Sequence, residues 1–335
     1  MSEYQYYRFE RLDGYLDAKV RQKLRAISSR ADISATSFQV YYTYSDLKAE
    51  PSELMLKYFD IGFYYADWGS IDAYIKLPAG TIPSAMLEFA TLELSIHQTD
   101  EWQLLVFSIE EYYEYFDDES ADDFFQHLAA LRSELMQGDW RLFYFIWLKT
   151  FGFNDELEGI PLIQFDFTSL SEGLLAFTAL YDIPLASIKA LAMVLSAQPS
   201  HQALAMTRKE SVNKDETYQY WLTPDVITPY IQEVRSQLQQ EQAEELAKKL
   251  AIERAEKEKV LADIYSQREH CWLQAQEQAN RICASGYDAA SRYLHQLFEA
   301  YQFKGDVAAF EHRFKRFTVA NNNRKALLNR LSDLL

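Results

Sequence analysis

From about Thr223 to about Cys283 the chain has almost no glycine and is dense in Gln, Glu, Ala, Lys and Leu, with Pro224 and Pro229 near its start. These side chains lose little rotamer freedom in a helix, and proline is tolerated in a first turn, so the stretch predicts one long charged helix. Continuous over about 55 residues, it would reach roughly 80 Å at 1.5 Å per residue. Val234, Leu238, Leu246, Leu250, Val260 and Ile264 form a broken apolar seam along it, with polar residues in the gaps. The pairs Glu244 with Lys248, Glu245 with Lys249 and Glu253 with Lys257 have the spacing that supports an exposed helix, each by a few tenths of a kcal/mol. A single charged arm or a weak coiled coil follows.

That arm divides the chain. Before it, "YQYYRFE" and "TSFQVYYTY" have strand composition, and Leu16, Val20, Leu24 and Ile27 between them recur at helical spacing. A short helix is expected in "PSELMLKYF", then a hairpin in "FDIGFYYADWGSIDAYIKLP", with Gly69 supplying a positive φ at its turn. Within the second strand Ile71, Ala73, Ile75 and Leu77 share one face, and Asp72, Tyr74 and Lys76 are expected on a wetter one. Aromatics on both faces of the first strand point to packing between two layers rather than to an open platform.

A second hairpin is expected in "LELSIHQTDEWQLLVFSIEE". From Ser120 the period becomes helical: Phe124, Leu128, Leu131 and Leu135 form a stripe, Gly138 a stop, and Asp139 a cap for "WRLFYFIWLK". Ser169 with Glu172 has capping-box spacing, and Pro184 opens a further helix. The fold class is therefore α+β. The expected organisation is a sheet domain over 1–119, a helical subdomain packed on it over 120–198, a linker over 199–222, the arm over 223–284 and a small helical domain over 285–335. After "SGYD" that last domain is expected to hold three short helices, running through Tyr293–Phe298, Phe310–Phe317 and Leu327–Leu334.

Charge is as uneven as structure. The formal net charge is −17 over 335 residues, yet residues 1–200 hold 31 acidic against 14 basic side chains and residues 201–335 hold 19 of each. An acidic N-terminal part repels nucleic acid phosphates and anionic membranes. The tail carries Lys304, Arg313, Lys315, Arg316, Arg324, Lys325 and Arg330 against Asp306, Glu311 and Asp333, a basic patch that ordinarily means a solvated helix face. Of this patch, Arg313, Lys315, Arg316, Arg324 and Lys325, together with Trp68 at the hairpin turn, are the candidate partner-binding residues. The only cysteines, Cys271 and Cys283, lack zinc-site spacing and would lie on different faces of a helix. "MSEYQYYRFERLDG" lacks the order of an ordinary secretory signal, and "WRLFYFIWLKTFGF" is too short and too charged to span a bilayer, so a bacterial cytoplasmic location is expected.

Signatures of chemistry are sparse. No glycine-rich phosphate loop, nucleophile elbow or paired histidines occur, and no cofactor is expected. The densest constellation is "EEYYEYFDDESADD", in which Glu114, Asp117, Asp118, Glu119 and Asp122 are candidate ligands for a hard divalent cation. The same carboxylates also suit a solvated loop that favours the next helix through its dipole. Between helix and strand, Ser29 and Arg30 are candidates for holding a small anion, where hydroxyls more often cap and turn the chain.

"LRAISSRADISATSFQVYYTYSDLKAEPSELMLKYFDIGFYYADWG", "LRSELMQGDWRLFYFIWLK" and "YDAASRYLHQLFEAYQFKGDVAAFEHRFKRF" followed by "LLNRL" together resemble an uncharacterised family of bacterial proteins, a likeness that brings no activity with it. The C-terminal stretch is also similar to the end of some SWIM-type zinc-finger proteins, but it lacks their clustered Cys and His, so no zinc function is carried over. By itself that tail resembles a helical-repeat unit, which implies a surface for another protein. The sequence thus points to a non-enzymatic interaction or scaffolding component of a cytoplasmic complex, engaging another protein through the long helix and the C-terminal helices. A homo-oligomer is compatible with the same helix. The competing readings are a metal-dependent nuclease or phosphohydrolase using the acidic loop, and an acidic mimic of nucleic acid.

Overall fold

A computed structural model describes residues 4–87, 91, 93–112, 117–150, 159–163, 165–196 and 221–334. Chain contacts divide it into two units, 1–238 and 239–335, with the division inside the long helix rather than at a linker.

The first unit is built on a sheet. In chain order its elements are β1 (Gln5–Glu10), α1 (Ala18–Ile27), β2 (Asp32–Ile33), β3 (Ser37–Tyr42), α2 (Pro51–Tyr58), β4 (Ile61–Ala66), β5 (Ile71–Pro78), α3 (Ser84–Leu87), β6 (Leu94–Gln98) and β7 (Trp102–Ile109). After them come α4 (Asp118–Met136), α5 (Arg141–Thr150), β8 (Ile160–Pro161), α6 (Glu172–Leu180), α7 (Leu185–Ser196), β9 (Trp221–Leu222) and α8 (Pro224–Ser266), whose first part belongs here. Seven strands pair antiparallel in the order β2-β3-β1-β4-β5-β7-β6, and β8 pairs with β9 apart from them. The fold is α+β.

Strand periodicity sorts the side chains into two cores. Tyr6, Phe63, Tyr65, Ala73, Ile75 and Phe107 join Phe124, Leu128, Leu131, Phe145 and Phe177 from the helices, and Ile227, Ile231 and Val234 of α8 complete this larger core. Tyr7, Phe9, Phe38, Tyr74 and Val106 point to the other side, against Leu24 of α1 and Leu54 and Met55 of α2. Helices therefore cover both faces. This corrects the expectation of a wet face on β5, where Tyr74 and Lys76 are as buried as Ile75. Gly62 is needed where β4 meets α2, since a Cβ there would come within 2.6 Å of the Phe9 ring and 2.8 Å of the Met55 sulfur.

Helix ends are set by local chemistry. Asp17 caps α1 at the Val20 amide and Asp117 caps α4 at the Ser120 amide. Ser171, not Ser169, caps α6: it directly precedes the first helical residue, Glu172, and its hydroxyl accepts from the Leu174 amide at 3.2 Å. The expected linker lies mostly outside the described residues; its last two, Trp221 and Leu222, form β9. Among the described residues no helix is long and apolar enough to cross a membrane.

The second unit contains the rest of α8, then α9 (Arg268–Asn280), α10 (Ala284–Phe303), α11 (Val307–Ala320) and α12 (Lys325–Leu328), which runs into a 3₁₀ turn at Asn329–Leu331. The expected uninterrupted arm is broken at Gln267. "SGYD", expected to precede the first of the three short helices, lies inside α10, where Gly286 lets the backbone approach the Gln278 carbonyl. The unit closes over its own core of Trp272, Ala275, Leu294, Leu297, Tyr301, Phe310, Phe314, Phe317 and Leu327.

Candidate interaction site

The second unit's helices leave a groove of about 950 Å³ between α9 and α11. Its residues follow helical spacing on both walls: Glu269, Leu273 and Gln276 from α9, with Ala309, His312, Arg316 and Ala320 from α11. Trp272, Tyr301 and Phe317, all buried, lie beneath. The α11 phenylalanines at 310, 314 and 317 face inward at three- and four-residue intervals, which turns residues 312 and 316 outward. Leu273 is 56% exposed beside this floor.

Arg313 ties the two walls together. Its guanidinium lies 5.1 Å from the centre of the Trp272 ring and donates to Glu269 Oε1 at 2.5 Å. That bond, reinforced by the positive charge, holds the Glu269 carboxyl below its ordinary range. Beneath the guanidinium, the Trp272 indole N–H is buried and makes no hydrogen bond. Arg316, His312 and His270 line the groove as exposed side chains, and with Glu269 paired to Arg313 the Arg316 guanidinium makes the groove favour negative charge.

The candidate partner residues are thus divided. Arg313 and Arg316 meet in the groove, while Arg324 is taken up internally, donating to Asn280 Oδ1 at 3.1 Å and to Asn321 Oδ1 at 2.5 Å. Lys315 and Lys325 are exposed and do not line it. Trp68, in the first unit, is 49% exposed at its turn, its indole donating to Ser70 Oγ at 2.9 Å. Leu273, His270 and His312 were not singled out by the sequence. Their signal is the outward phase of α9 and α11, readable once the buried faces of those helices are known.

The acidic stretch has a structural use. Asp118 accepts from Tyr4 at 2.9 Å and also from the Tyr65 hydroxyl, and Asp122 accepts from Tyr6 at 3.1 Å and pairs with Arg8. Arg8 in turn covers the Phe125 ring at 4.1 Å. The first turn of α4 is thereby fastened to β1 and β4. Asp117 is occupied as the cap, and its carboxyl stands below the usual range because the Ser120 N–H and hydroxyl donate to it. Glu119 is exposed, and Glu114 lies outside the described residues. Among the described residues no three His, Cys, Asp or Glu side chains come together as a metal-holding set. Ser29 and Arg30 are both exposed, and the turn they occupy is held by Arg25, which donates to the carbonyls of Ser29 at 3.2 Å and Ala31 at 2.5 Å.

No family model, curated protein or solved structure matches the chain.

Proposed function

We propose that this protein is a non-enzymatic interaction component of a cytoplasmic complex, and that the α9–α11 groove receives an amphipathic helix from another protein. The observation that carries the reading is the exposed Leu273 beside an aromatic floor, in a groove walled at helical spacing on both sides. A helix docks into such a groove with apolar anchors three, four and seven residues apart. Arg316 favours an acidic residue flanking those anchors.

A comparative pull-down from native lysate tests this. Leu273→Asp places a charge in the apolar wall and Arg316→Glu reverses its sign, and neither side chain belongs to the buried core. A partner recovered by the wild type and by Trp68→Ala, but lost with both groove variants, is the expected result. Equal recovery by all four proteins, or no partner at all, refutes the groove.

A further inference from the structure

The exposed stretch of α8 carries a second surface. Every residue from 239 to 257 is exposed, including Leu246 and Leu250 at 58% and 55%, and Val260 follows at 56%. Leu246, Leu250 and Val260 are thus left largely uncovered by their own unit. We propose that it pairs with the same segment of a second copy, antiparallel, in a short coiled coil centred on Ala255.

The seam is symmetric in sequence, and that symmetry favours an antiparallel pair. Leu246, Leu250, Glu253, Lys257, Val260 and Ile264 are spaced alternately by four and three residues, which places them on the a and d positions of a heptad. About Ala255 the seam reads alike in both directions: nine residues away are Leu246 and Ile264, five away Leu250 and Val260, two away Glu253 and Lys257. In an antiparallel pair Leu246 meets Ile264, Leu250 meets Val260, and Glu253 meets Lys257, twice each by symmetry. The two residues that interrupt the seam are then oppositely charged partners. In a parallel pair Glu253 would face Glu253 and Lys257 would face Lys257, two like-charge layers in the seam.

The flanking residues agree in part. Lys249 is brought beside Asp263 of the other copy, and Ala247 beside Leu261. Arg254, which would approach its own counterpart, is held by Glu258 of the same chain at 2.9 Å. Glu256 approaching its counterpart opposes association. Lys257 lies 3.8 Å from Glu299, both exposed, and Ile264 packs against its own unit's core with part of its surface still open. With four apolar residues per copy, the pairing is weak and concentration-dependent.

Sedimentation equilibrium of the full chain from about 1 to about 300 µM reads it, a span that resolves micromolar association. The wild type is expected to dimerise, and Leu250→Asp to remain monomeric. Glu253→Lys and Lys257→Glu are each expected to weaken the dimer about tenfold or more by opposing like charges, and the double variant to restore it. A monomeric wild type overturns the proposal. So does a dimer indifferent to Leu250→Asp, or a double variant no tighter than either single one, since a parallel pair gains nothing from the exchange. The groove residues are untouched throughout, and circular dichroism establishes that each variant keeps its helices.

Discussion

Lys76 and Asp60 show how much one buried pair can govern. Both side chains are 6% exposed, with Nζ and Oδ1 3.3 Å apart. Burial alone would raise the Asp60 carboxyl, but the Asp13 and Leu12 amides and the Lys76 ammonium more than offset it, and its pKa lies below the ordinary value. Lys76 also donates to the Met55 carbonyl at 3.1 Å and lies under the Trp102 ring, and its own carbonyl accepts from Arg132 at 2.8 Å. Removing either partner leaves a charge stranded in the core, so Lys76→Ala and Asp60→Ala are each expected to lower stability by about 3–5 kcal/mol, measured by urea unfolding. Little of this was visible in the sequence. In "SIDAYIKL" a lysine alternating with Asp and Tyr is the pattern of a solvated face, and it is buried by groups distant in sequence: Met55 of α2, Asp60 and Trp102.

His295 is the residue whose titration reaches furthest in the second unit. Its ring contacts the Ser291 carbonyl and Asp333 Oδ2, each at 2.8 Å. Burial disfavours its charged form, but these two partners prevail and its pKa is raised above 6.5, while the bond from His295 holds Asp333 below 3.8. A raised histidine stabilises the folded state below its unfolded pKa and ceases to as pH passes its folded one. A lowered carboxyl does so above its unfolded pKa and ceases to as pH falls through its folded one. The pair therefore contributes in full between pH 3.8 and 6.5 and fades above that window. Melting temperature is expected to fall as pH is raised from about 6.5 to about 8, and His295→Gln to remove that part of the slope.

Among the elements, the α9–α10 turn is the tightest constraint in the second unit. A Cβ on Gly286 would lie 2.6 Å from the Gln278 carbonyl oxygen, a backbone atom that cannot rotate away. Gly286→Ala is expected to cost about 1–3 kcal/mol by forcing the helices apart, read as a drop in urea midpoint. "SGYD" misleads in the sequence because glycine there serves close approach rather than termination. The break at Gln267 has only a faint sequence mark, the middling helix formers Ile264, Tyr265 and Ser266 before it, with neither Gly nor Pro. A tertiary bond and a local contact accompany it: Tyr265 donates to Asp306 at 2.8 Å, and Arg268 stacks over the Tyr265 ring. By contrast β1, β3, β4, β5, α2 and α4 were legible, because their apolar period or their caps are local. The groove was half legible: the basic residues of α11 drew attention to its helix, but which of them face α9 depends on the packing of Phe310, Phe314 and Phe317.

At the scale of the whole molecule, each unit closes over a core of its own. The first buries both faces of its sheet and uses its acidic turn to anchor α4 to β1 and β4. The second, built on a smaller core, presents a walled groove and a helix exposed on all sides. On the function proposed above, recognition falls to the second unit, through its groove. Titrating the ¹⁵N-labelled full chain with an acidic amphipathic helical peptide of about 18 residues, enough for five turns, tests this most directly. The account predicts saturable shifts of the Trp272 indole N–H and of the amides of Leu273, His312 and Arg316, all abolished by Leu273→Asp. An unchanged spectrum, or shifts confined to residues outside α9 and α11, contradicts it.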